Sequence, residues 1–258
     1  MMEIKDTIQK FWNKKPCGTF GNIPKEVNAE YFDKIKKRRY LLEPFILKIA
    51  NFNSYTGKKV LEIGCGIGMD GIEFAKAGAY YTGVDLSDQS ISLCKKHFEL
   101  FSQTGNIINT DAENLPFDDN TFDLVYSWGV LHHIPDMQKS INEVYRVLKP
   151  GGKIIIMIYN KYSLVGLQLY LVYGLLKFKL FKNFNTLYFN HHESVGTKAF
   201  TDNETRKMFK EFVNIKISNI VTPYDVRITR NRFLPAFVQR LVPSRFGFFK
   251  IILGFKKN

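Results

Sequence analysis

A cluster of glycines between two apolar segments constrains the fold of this 258-residue chain more than any other feature. Residues Val60 to Ser87 read VLEIGCGIGMDGIEFAKAGAYYTGVDLS: an apolar run, the glycines, a helix-like segment, a second apolar run and an acid. Glycine tolerates positive φ and lets the backbone approach a ligand closely, so this order is typical of the βαβ unit that opens a nucleotide-binding sheet. The segment therefore predicts a parallel α/β fold with a nucleotide-like ligand at its first turn.

The glycine loop alone is compatible with several ligands. Residues 66–71 match the G-x-G-x-x-G pattern of dinucleotide enzymes, and Asp85 ends the second apolar run where those enzymes carry a ribose-binding acid. However, Glu62 lies two residues before Gly64, and the loop has no lysine, arginine or G-K-[ST] sequence, which excludes a phosphate-binding P-loop. A ligand with an adenine, a ribose and a positively charged centre fits better. A nicotinamide-dependent dehydrogenase is the alternative.

Short β-like runs alternate with helix-like segments through the middle of the chain, which is the pattern of a parallel sheet flanked by helices. Helices are expected at about 69–77, 87–103 and 137–148, with a turn at Lys149 to Gly152 because proline cannot continue a helix. The predicted strands are Lys59–Ile63, Tyr80–Asp85, Asn106–Asn109, Phe122–Ser127 and Lys153–Ile158, followed by NIKISNIVTP and FGFFKIILGF near the end, which makes seven.

Residues 1–58 and 161–211 lie outside this alternation and predict helical additions. The second addition contains an uncharged run from Ser163 to Leu176, which is 14 residues long. A helix needs roughly 20 apolar residues to cross a bilayer, so we expect no transmembrane span. A buried cap helix is one interpretation of this run, and an amphipathic helix in peripheral contact with a membrane surface is the other.

Charge is distributed unevenly along the chain, whose net charge is +13. Residues 60–160 carry a net −6, whereas residues 1–59 carry +7 and residues 161–258 carry +12. Basic segments attract phosphate, nucleic acid or anionic membranes, although a solvated basic surface explains them equally well. The three cysteines include no C-x-x-C pair, which argues against a disulfide framework or a zinc site and favours the reducing cytoplasm.

Five motifs occur together in the order and spacing of one family. They resemble the class I S-adenosylmethionine-dependent methyltransferases, and are most similar to the branch that contains quinone-type and small-molecule methyltransferases. The resemblance covers roughly residues 58–160 of the chain. The motifs are Val60–Gly68, Val84–Ser87, Asp111–Phe117, Phe122–His133 and Arg146–Gly152.

The resemblance implies an α/β fold, with a Rossmann-like sheet of seven mostly parallel strands whose last strand is antiparallel. In this organisation residues 1–58 form a helical lid and residues 59–160 form the cofactor-binding core. Residues 161–211 form a helical cap, inserted after the fifth strand, that binds the methyl acceptor. Residues 212–258 supply the final two strands of the sheet.

The resemblance also implies roles for residues at successive strand ends. The glycine loop would lie against the methionyl part of the cofactor, and Asp85 would accept hydrogen bonds from both ribose hydroxyls. Leu86 would pack on the adenine, Asp111 would accept from its amino group, and Trp128 would line the sulfonium end. Caps of the following helices are the alternative for the two aspartates, and a core position is the alternative for the tryptophan. The complete predicted cofactor-binding set is Glu62, Gly64, Cys65, Gly66, Gly68, Asp85, Leu86, Asp111, Ala112, Glu113, Ser127, Trp128, Arg39 and Tyr31.

Two of these residues, Tyr31 and Arg39, belong to the lid. We expect the lid to close over the cofactor, with Trp12, Tyr31 and Phe32 forming its apolar underside. Arg39 would bind the methionyl carboxylate as a charge-assisted pair. The lid thus predicts a second wall for the cofactor site.

Methyl transfer from a sulfonium is an in-line displacement, so alignment of the acceptor contributes most to the rate, and a base is needed only if the acceptor must lose a proton. His132 and His133 follow the fourth strand near the expected methyl group and are the candidate bases. The alternative is that one of them packs against or caps the next helix. His191 and His192 form a weaker pair in the cap.

The predicted function is transfer of a methyl group from S-adenosylmethionine, leaving S-adenosylhomocysteine, to a small-molecule, lipid-linked or glycan-linked acceptor. No metal is expected. An RNA methyltransferase is the main alternative, since Arg227, Arg230 and Arg232 lie in the basic last third, but the fourth-strand sequence SWGV disfavours attack by a base amine. A non-catalytic cofactor-binding protein is the remaining alternative. The oligomeric state is left open.

Overall fold

The computed structural model describes residues 2–19, 23–175, 183–229, 232–233 and 236–258. Seven of its strands form one sheet in the order β3-β2-β1-β4-β5-β9-β6. The first five strands along the chain pair in parallel, whereas β9 is antiparallel to both β5 and β6. The predicted seven-stranded sheet with its last strand antiparallel is therefore confirmed. The strands are β1 (Lys59–Ile63), β2 (Tyr80–Asp85), β3 (Asn106–Asn109), β4 (Phe122–Trp128), β5 (Leu148–Tyr159), β6 (Val213–Ile220), the short pair β7 (Arg227–Thr229) and β8 (Arg232–Phe233), and β9 (Phe249–Phe255).

Helices connect the strands of the sheet, and further helices lie in the segments before β1 and after β5. Within the described residues, three helices precede β1, three connect strands of the core, three follow β5, and one precedes β9. The helices are α1 (Met2–Lys14), α2 (Ala29–Leu42), α3 (Phe45–Ala50), α4 (Gly71–Lys76), α5 (Asp88–Leu100), α6 (Met137–Val147), α7 (Leu164–Tyr170, continued by a π-helical turn to Leu175), α8 (Phe184–His191), α9 (Asp202–Met208) and α10 (Ala236–Leu241).

The central strands are buried on both faces, which explains why their sequences are continuous apolar runs rather than alternating ones. In β1 every residue after Lys59 is buried, and in β5 the run Ile154–Ile158 is fully enclosed. Strand β5 begins earlier than its apolar run because Leu148 already pairs with Phe122. The predicted turn at residues 149–152 is instead an irregularity inside this strand, where Gly151 has φ of 70°.

The lid packs directly on the glycine loop. Asn28 caps α2 by accepting a hydrogen bond from the Tyr31 amide, and the helix ends just before Pro44. Phe32 of α2 is fully buried in a small apolar cluster with Ile67 of the loop. Burial of this face, more than local propensity, therefore holds the helix in place.

The cap, residues 161–211, is stabilised by hydrogen bonds at a helix start and by two buried lysines. Thr201 and Glu204 form a capping box at the start of α9, and Glu204 also accepts from the 8% exposed Lys161 at 2.5 Å. Lys250 of β9 is fully buried and donates to Asp202 on the same helix. No helix in the described part of the chain is long and apolar enough to cross a membrane.

Asp225 lies buried beneath the turn that leads to β7. Its Oδ2 accepts from the Thr222 amide at 2.8 Å, the Thr222 hydroxyl at 3.0 Å and the Phe248 amide at 3.1 Å. Its Oδ1 has no hydrogen-bond partner among the described residues. Burial outweighs the three hydrogen bonds and raises the pKa of Asp225 from 3.8 to about 6.

We predict that Asp225 makes the folded state less stable as the pH rises from about 4 to about 6. A carboxyl whose pKa rises on folding holds its proton more tightly in the folded state, so the free energy of unfolding falls by about 3 kcal/mol across that range. In Asp225→Asn this contribution is absent, because the amide oxygen can accept the same bonds without ionising. Urea unfolding at several pH values should show the difference between variant and wild type changing by that amount. The exposed Asp118→Asn is the control, and an unchanged difference for Asp225→Asn would contradict the prediction.

Candidate active site

A cleft of about 820 Å³, including its mouth, opens at the carboxyl ends of β1, β2 and β4. In a parallel sheet these ends lie at one edge, where ligands of such folds bind. The lid closes the opposite side through α1 and the segment that follows it. The residues that line the cleft are Ile63, Gly64, Gly66, Val84, Asp85, Leu86, Ser90, Thr110, Asp111, Ala112, Trp128, Gly129, Val130, His133, Ile134 and Pro135 from the core, and Lys5, Ile8, Trp12 and Cys17 from the lid.

The three glycines of the loop have positive φ but different surroundings. A Cβ on Gly64 would lie 2.1 Å from Val130, and a Cβ on Gly68 would lie 2.7 Å from the sulfur of Cys94, so packing requires these two glycines. A Cβ on Gly66 would meet no described atom within 4 Å. Gly66 lines the cleft, so its bare backbone is available to a ligand that a side chain would displace. This surface fits a cofactor that lies against the loop.

Asp85 links the loop to the start of α5. Its Oδ2 accepts from the Gly66 amide at 2.9 Å and its Oδ1 accepts from the Ser87 amide at 2.8 Å. Burial raises the pKa of Asp85, while these backbone bonds oppose the rise. The cap of α5 is Ser87, whose hydroxyl accepts from the Ser90 amide. The carboxylate therefore faces the cleft with its orientation fixed by two backbone donors.

Beside the strand ends that precede Asp111, the lid makes an ion pair that the sequence did not indicate. Lys5 of α1 lies 2.6 Å from both Asp111 and Glu113. Although burial opposes it, hydrogen bonds to these two carboxylates raise the pKa of Lys5. Gln9 of the same helix donates to the Leu86 carbonyl at 2.9 Å. Helix α1 is thus fastened to the strand ends where the adenine of the cofactor is predicted to lie.

Five core residues of the predicted cofactor set lie outside the cleft lining. One of them is Glu113, which is buried and pairs with Lys5. Glu62 is buried and accepts from the Tyr81 hydroxyl at 2.6 Å, and burial together with Asp70 raises the pKa of Glu62. Ser127 donates to the Ile63 carbonyl at 3.0 Å and so joins β4 to β1. Gly68 and Cys65 pack inward, on α5 and on the core of the sheet. A direct cofactor contact for these residues stays a prediction.

Arg39 and Tyr31 of the lid also lie outside the cleft lining. Arg39 bonds to Asp70 of the glycine loop through Nε at 3.0 Å and Nη2 at 2.5 Å. Burial alone would lower the pKa of Arg39, but the charge of Asp70 raises it well above its usual value. Tyr31 packs against Phe32, with ring centroids 5.5 Å apart. The role predicted for Arg39 at the methionyl carboxylate stays a prediction, and its contact in this structure is Asp70.

Trp128 both packs in the core and lines the cleft. It is 8% exposed, and its Nε1 donates to Glu43 at 2.9 Å. Tyr224 donates to the other oxygen of the same carboxylate at 3.2 Å. Burial raises the pKa of Glu43. The indole is therefore fixed where the sulfonium end of the cofactor is predicted.

The two adjacent histidines after β4 have different surroundings. His133 lines the cleft, whereas His132 is fully buried and packs against Tyr159, with ring centroids 3.8 Å apart and ring planes tilted by 40°. Neither ring nitrogen of His132 has a hydrogen-bond partner in the described part of the chain, and burial lowers its pKa well below the usual value. Asp136, not a histidine, caps α6 by accepting from the Lys139 amide. Of the two candidate bases, the structure brings His133 to the cleft.

The loop between α8 and α9 surrounds the His133 ring. Nδ1 of His133 lies 3.0 Å from the Ser194 hydroxyl and 3.1 Å from the Thr197 hydroxyl. Its Nε2 lies 3.3 Å from Oε2 of Glu193, which has φ of 51° and accepts from the Tyr159 hydroxyl at 2.7 Å. Desolvation would raise the pKa of Glu193, whose side chain is 41% exposed, but the adjacent His133 ring and the charge of His192 lower it to about 2. Sequence reasoning missed these cap residues because no motif marks them.

Two other sequence predictions concern the cap and the last third. His191 stacks on Tyr173 and His192 packs edge-on against Tyr159, so these histidines lie among cap and core aromatics. Arg230 lies outside the described residues, and Arg227 and Arg232 are described in backbone only. The basic RNA-binding surface therefore stays a prediction.

Comparisons with known proteins agree with this geometry. The family profile described as a methyltransferase domain matches residues 61–156. The ubiquinone biosynthesis O-methyltransferase of Coxiella burnetii is 34% identical over 163 residues, which are 57% of this chain and 70% of that protein. The phthiotriol/phenolphthiotriol dimycocerosates methyltransferase of Mycobacterium tuberculosis is 43% identical over 98 residues, 37% of this chain and 36% of that protein.

Solved structures share the fold at low sequence identity. Magnesium protoporphyrin IX methyltransferase from Synechocystis PCC 6803 with bound S-adenosylmethionine has a TM-score of 0.59 and 15% identity, covering 98% of this chain and 97% of that chain. A possible histamine N-methyltransferase from Thermotoga maritima has a TM-score of 0.56 and 19% identity, covering 97% of this chain and all of that chain. The glycine loop, the strand order and the sequence relatives all indicate the same family. The chain belongs to the class I S-adenosylmethionine-dependent methyltransferases.

Proposed function

We propose that this methyltransferase transfers the methyl group to a hydroxyl oxygen of a small-molecule or lipid-type acceptor. One observation carries the proposal: a single cleft is lined by Gly66 and Asp85 in one part and by His133 in another. A cofactor and an acceptor that share this cleft would meet end to end. The names of two sequence relatives, a ubiquinone biosynthesis O-methyltransferase and a phthiotriol dimycocerosates methyltransferase, support an acceptor of this class.

In this proposal the cofactor lies along the strand ends from Asp111 to Trp128. Asp85 accepts hydrogen bonds from the ribose, because its carboxylate faces the cleft and is already oriented by two amides. Leu86 and Ala112 border the adenine, and the Gly66 backbone borders the methionyl part. The bound cofactor supplies an activated methyl group on a positively charged sulfur. The lid, through Lys5 and Trp12, then excludes water from the reacting atoms.

His133 accepts the proton of the acceptor hydroxyl. As the new carbon–oxygen bond forms, the carbon–sulfur bond breaks, its electron pair stays on sulfur, and the hydroxyl proton moves to the imidazole. This assignment favours His133 over His132, since the buried ring of His132 does not line the cleft. General-base catalysis of this kind contributes about 10²- to 10⁴-fold to rate.

The cap offers a surface for an acceptor that resides in a membrane. Four large apolar side chains on α7 and its π-helical continuation are each more than 40% exposed. They are Leu167, Leu171, Val172 and Leu175. The sequence that follows, outside the described residues, is LKFKLFK, which is basic and contains two phenylalanines. We infer peripheral contact of this face with an anionic membrane surface, where apolar burial and charge attraction act together.

Asp85→Ala should bind S-adenosylhomocysteine at least about 100-fold more weakly, because two charge-assisted hydrogen bonds to the ribose are lost. Isothermal titration calorimetry measures this change, with exposed Asp118→Ala as the control. Asp85→Asn removes the negative charge but keeps one acceptor oxygen, so it disturbs the contacts with the Gly66 and Ser87 amides less than Asp85→Ala does. Unchanged affinity in both Asp85 variants, or stabilisation of the wild type by NAD, would contradict the proposal.

His133→Ala should lower kcat about 10²-fold or more with an alkyl-substituted catechol as the probe acceptor, while the affinity for S-adenosylhomocysteine stays the same. His132→Ala should keep most of its turnover per folded molecule but unfold at a lower temperature, because the change leaves a cavity beside Tyr159. Initial rates and thermal unfolding of both variants make the comparison. The base assignment is wrong if His133→Ala turns over at the wild-type rate.

Leu171→Glu should reduce binding to vesicles of phosphatidylglycerol and phosphatidylcholine about tenfold, since one leucine side chain contributes roughly 1.5 kcal/mol when buried. Flotation of vesicles with bound protein measures the effect. Leu41→Glu on α2, at a leucine outside the cap that is even more exposed than Leu171, is the control. Equal flotation of wild type and both variants would exclude this face as the membrane contact.

A further inference from the structure

Three buried imidazole nitrogens beside the cleft have no hydrogen-bond partner among the described residues. They are Nδ1 and Nε2 of His132 and Nε2 of His133. His132 is fully buried and His133 is 4% exposed, so neither ring is open to bulk solvent. A buried polar atom without a partner is costly and rare in folded proteins, and a bound ion or water is its ordinary explanation. The nitrogens therefore point to a ligand that the two rings share.

A carboxylate from the cap completes a set of three metal ligands. His132, His133 and Glu193 each place one ligand atom within 4.8 Å of the other two. Oε2 of Glu193 lies 3.3 Å from Nε2 of His133, which makes no hydrogen bond. Two ligand atoms that are each about 2.1 Å from a tetrahedral zinc ion lie about 3.4 Å apart. The observed separation therefore suits two ligands of one metal ion.

We propose that His132, His133 and Glu193 bind a zinc ion. Imidazole nitrogen suits zinc and the neighbouring transition metals, whereas magnesium and calcium take oxygen ligands. Two histidines and one glutamate are a known three-ligand zinc set, which leaves a fourth position for water. Because the three atoms already lie within 4.8 Å, a shift of up to about 1.4 Å in one side chain completes the coordination. The site uses none of the cysteines, whose spacing argued against zinc.

Neighbouring hydroxyls orient two of the ligands, as is usual around protein-bound metals. Nδ1 of His133 lies 3.0 Å from the Ser194 hydroxyl and 3.1 Å from the Thr197 hydroxyl, so Nε2 is the nitrogen left for the metal. The Tyr159 hydroxyl donates to Oε2 of Glu193 at 2.7 Å. The Glu193 side chain is partly exposed and provides the path by which a metal ion enters.

The charge of Glu193 is available to a cation. Among the described residues it pairs with no lysine or arginine, and its ionic neighbour is the His133 ring. Lys198, which follows on the same loop, instead donates to the carbonyls of residues 134 and 135 at 2.6 and 2.8 Å. No basic side chain therefore takes the place of the metal in the described part of the chain.

Zinc at this site would inhibit the methyl transfer proposed above. A His133 ring that is bonded to zinc cannot take up the proton of an acceptor hydroxyl. Zinc and the acceptor's proton thus exclude one another at this ring. The inhibition rests on the proposed function, whereas the metal site does not.

Isothermal titration calorimetry with zinc chloride tests the site on the full chain, after treatment with EDTA and dialysis. The wild type should bind one zinc ion per chain. Glu193→Gln and His132→Ala should each bind it more than about 100-fold more weakly, since loss of a group that only orients a ligand already costs about 10- to 100-fold. Glu193→Gln keeps an oxygen that accepts from Tyr159, so it tests the site even if the buried His132→Ala does not fold.

Two variants control for zinc that is held elsewhere. His191→Gln changes a cap histidine that stacks on Tyr173 outside the three ligands, and Cys17→Ser removes the thiol that lines the cleft. Both should bind zinc with the wild-type affinity. Magnesium chloride should not compete with zinc in the wild type, because the site has a majority of nitrogen ligands.

Activity provides the second readout. With one equivalent of zinc, the wild type should methylate an alkyl-substituted phenol at least about tenfold more slowly than the metal-free protein, because base catalysis is lost. A phenol is the acceptor here because its single hydroxyl does not chelate zinc. EDTA should restore the rate. Glu193→Gln should show the same rate with and without zinc.

Three results would overturn the proposal: a wild type that binds no zinc, equal zinc affinity in the wild type and Glu193→Gln, or affinity that is lost in Cys17→Ser and kept in Glu193→Gln. Zinc that binds at the three ligands without slowing the reaction would instead contradict the base role of His133. Failure of the proposed function as a whole is distinguishable from these results. It would appear as a wild type that binds zinc but is not stabilised by S-adenosylhomocysteine in thermal unfolding.

Discussion

A single buried carboxylate joins the lid, the glycine loop and the sheet. Asp70 of the loop is 1% exposed and bonds to Arg39 of α2, while the hydroxyls of Tyr40 and Tyr126 donate to the same side chain. Removing one partner of a buried ion pair costs about 3–5 kcal/mol because the other charge is left uncompensated. The shape of the loop, and with it the cleft floor at Gly66, therefore depends on the lid being in place.

The two parts of the cleft are supplied by different parts of the chain. Strand ends of the core supply the groups proposed to hold the cofactor, and two of them, Asp85 and Gly66, are already joined by a hydrogen bond. The cap supplies the surroundings of His133, through Glu193 and Thr197. The two sets of contacts therefore lie on separate elements of the chain.

Sequence patterns predicted the strands whose ends depend on residues close to them in the chain. Strands β1, β2 and β3 have the predicted ends, and each has buried apolar residues in its interior. The start of β5 was not predicted, because pairing of Leu148 with β4 overrides the local signal of the proline and glycines that follow. Lys5 and Glu193 were missed for a related reason. Lys5 meets Asp111 across 106 positions of chain, and no local pattern records such a contact.

The sequence by itself determined the fold class, the order in which the motifs follow the strands, and the adenosyl nature of the cofactor. These depend on residue types at fixed local spacing. Only the tertiary structure decided which of the two neighbouring histidines lines the cleft. His132 and His133 have identical side chains and adjacent positions, but a short 3₁₀ turn directs one ring onto Tyr159 in the core and the other towards the cleft. Their chemical difference arises from burial and from partners that the cap brings into contact.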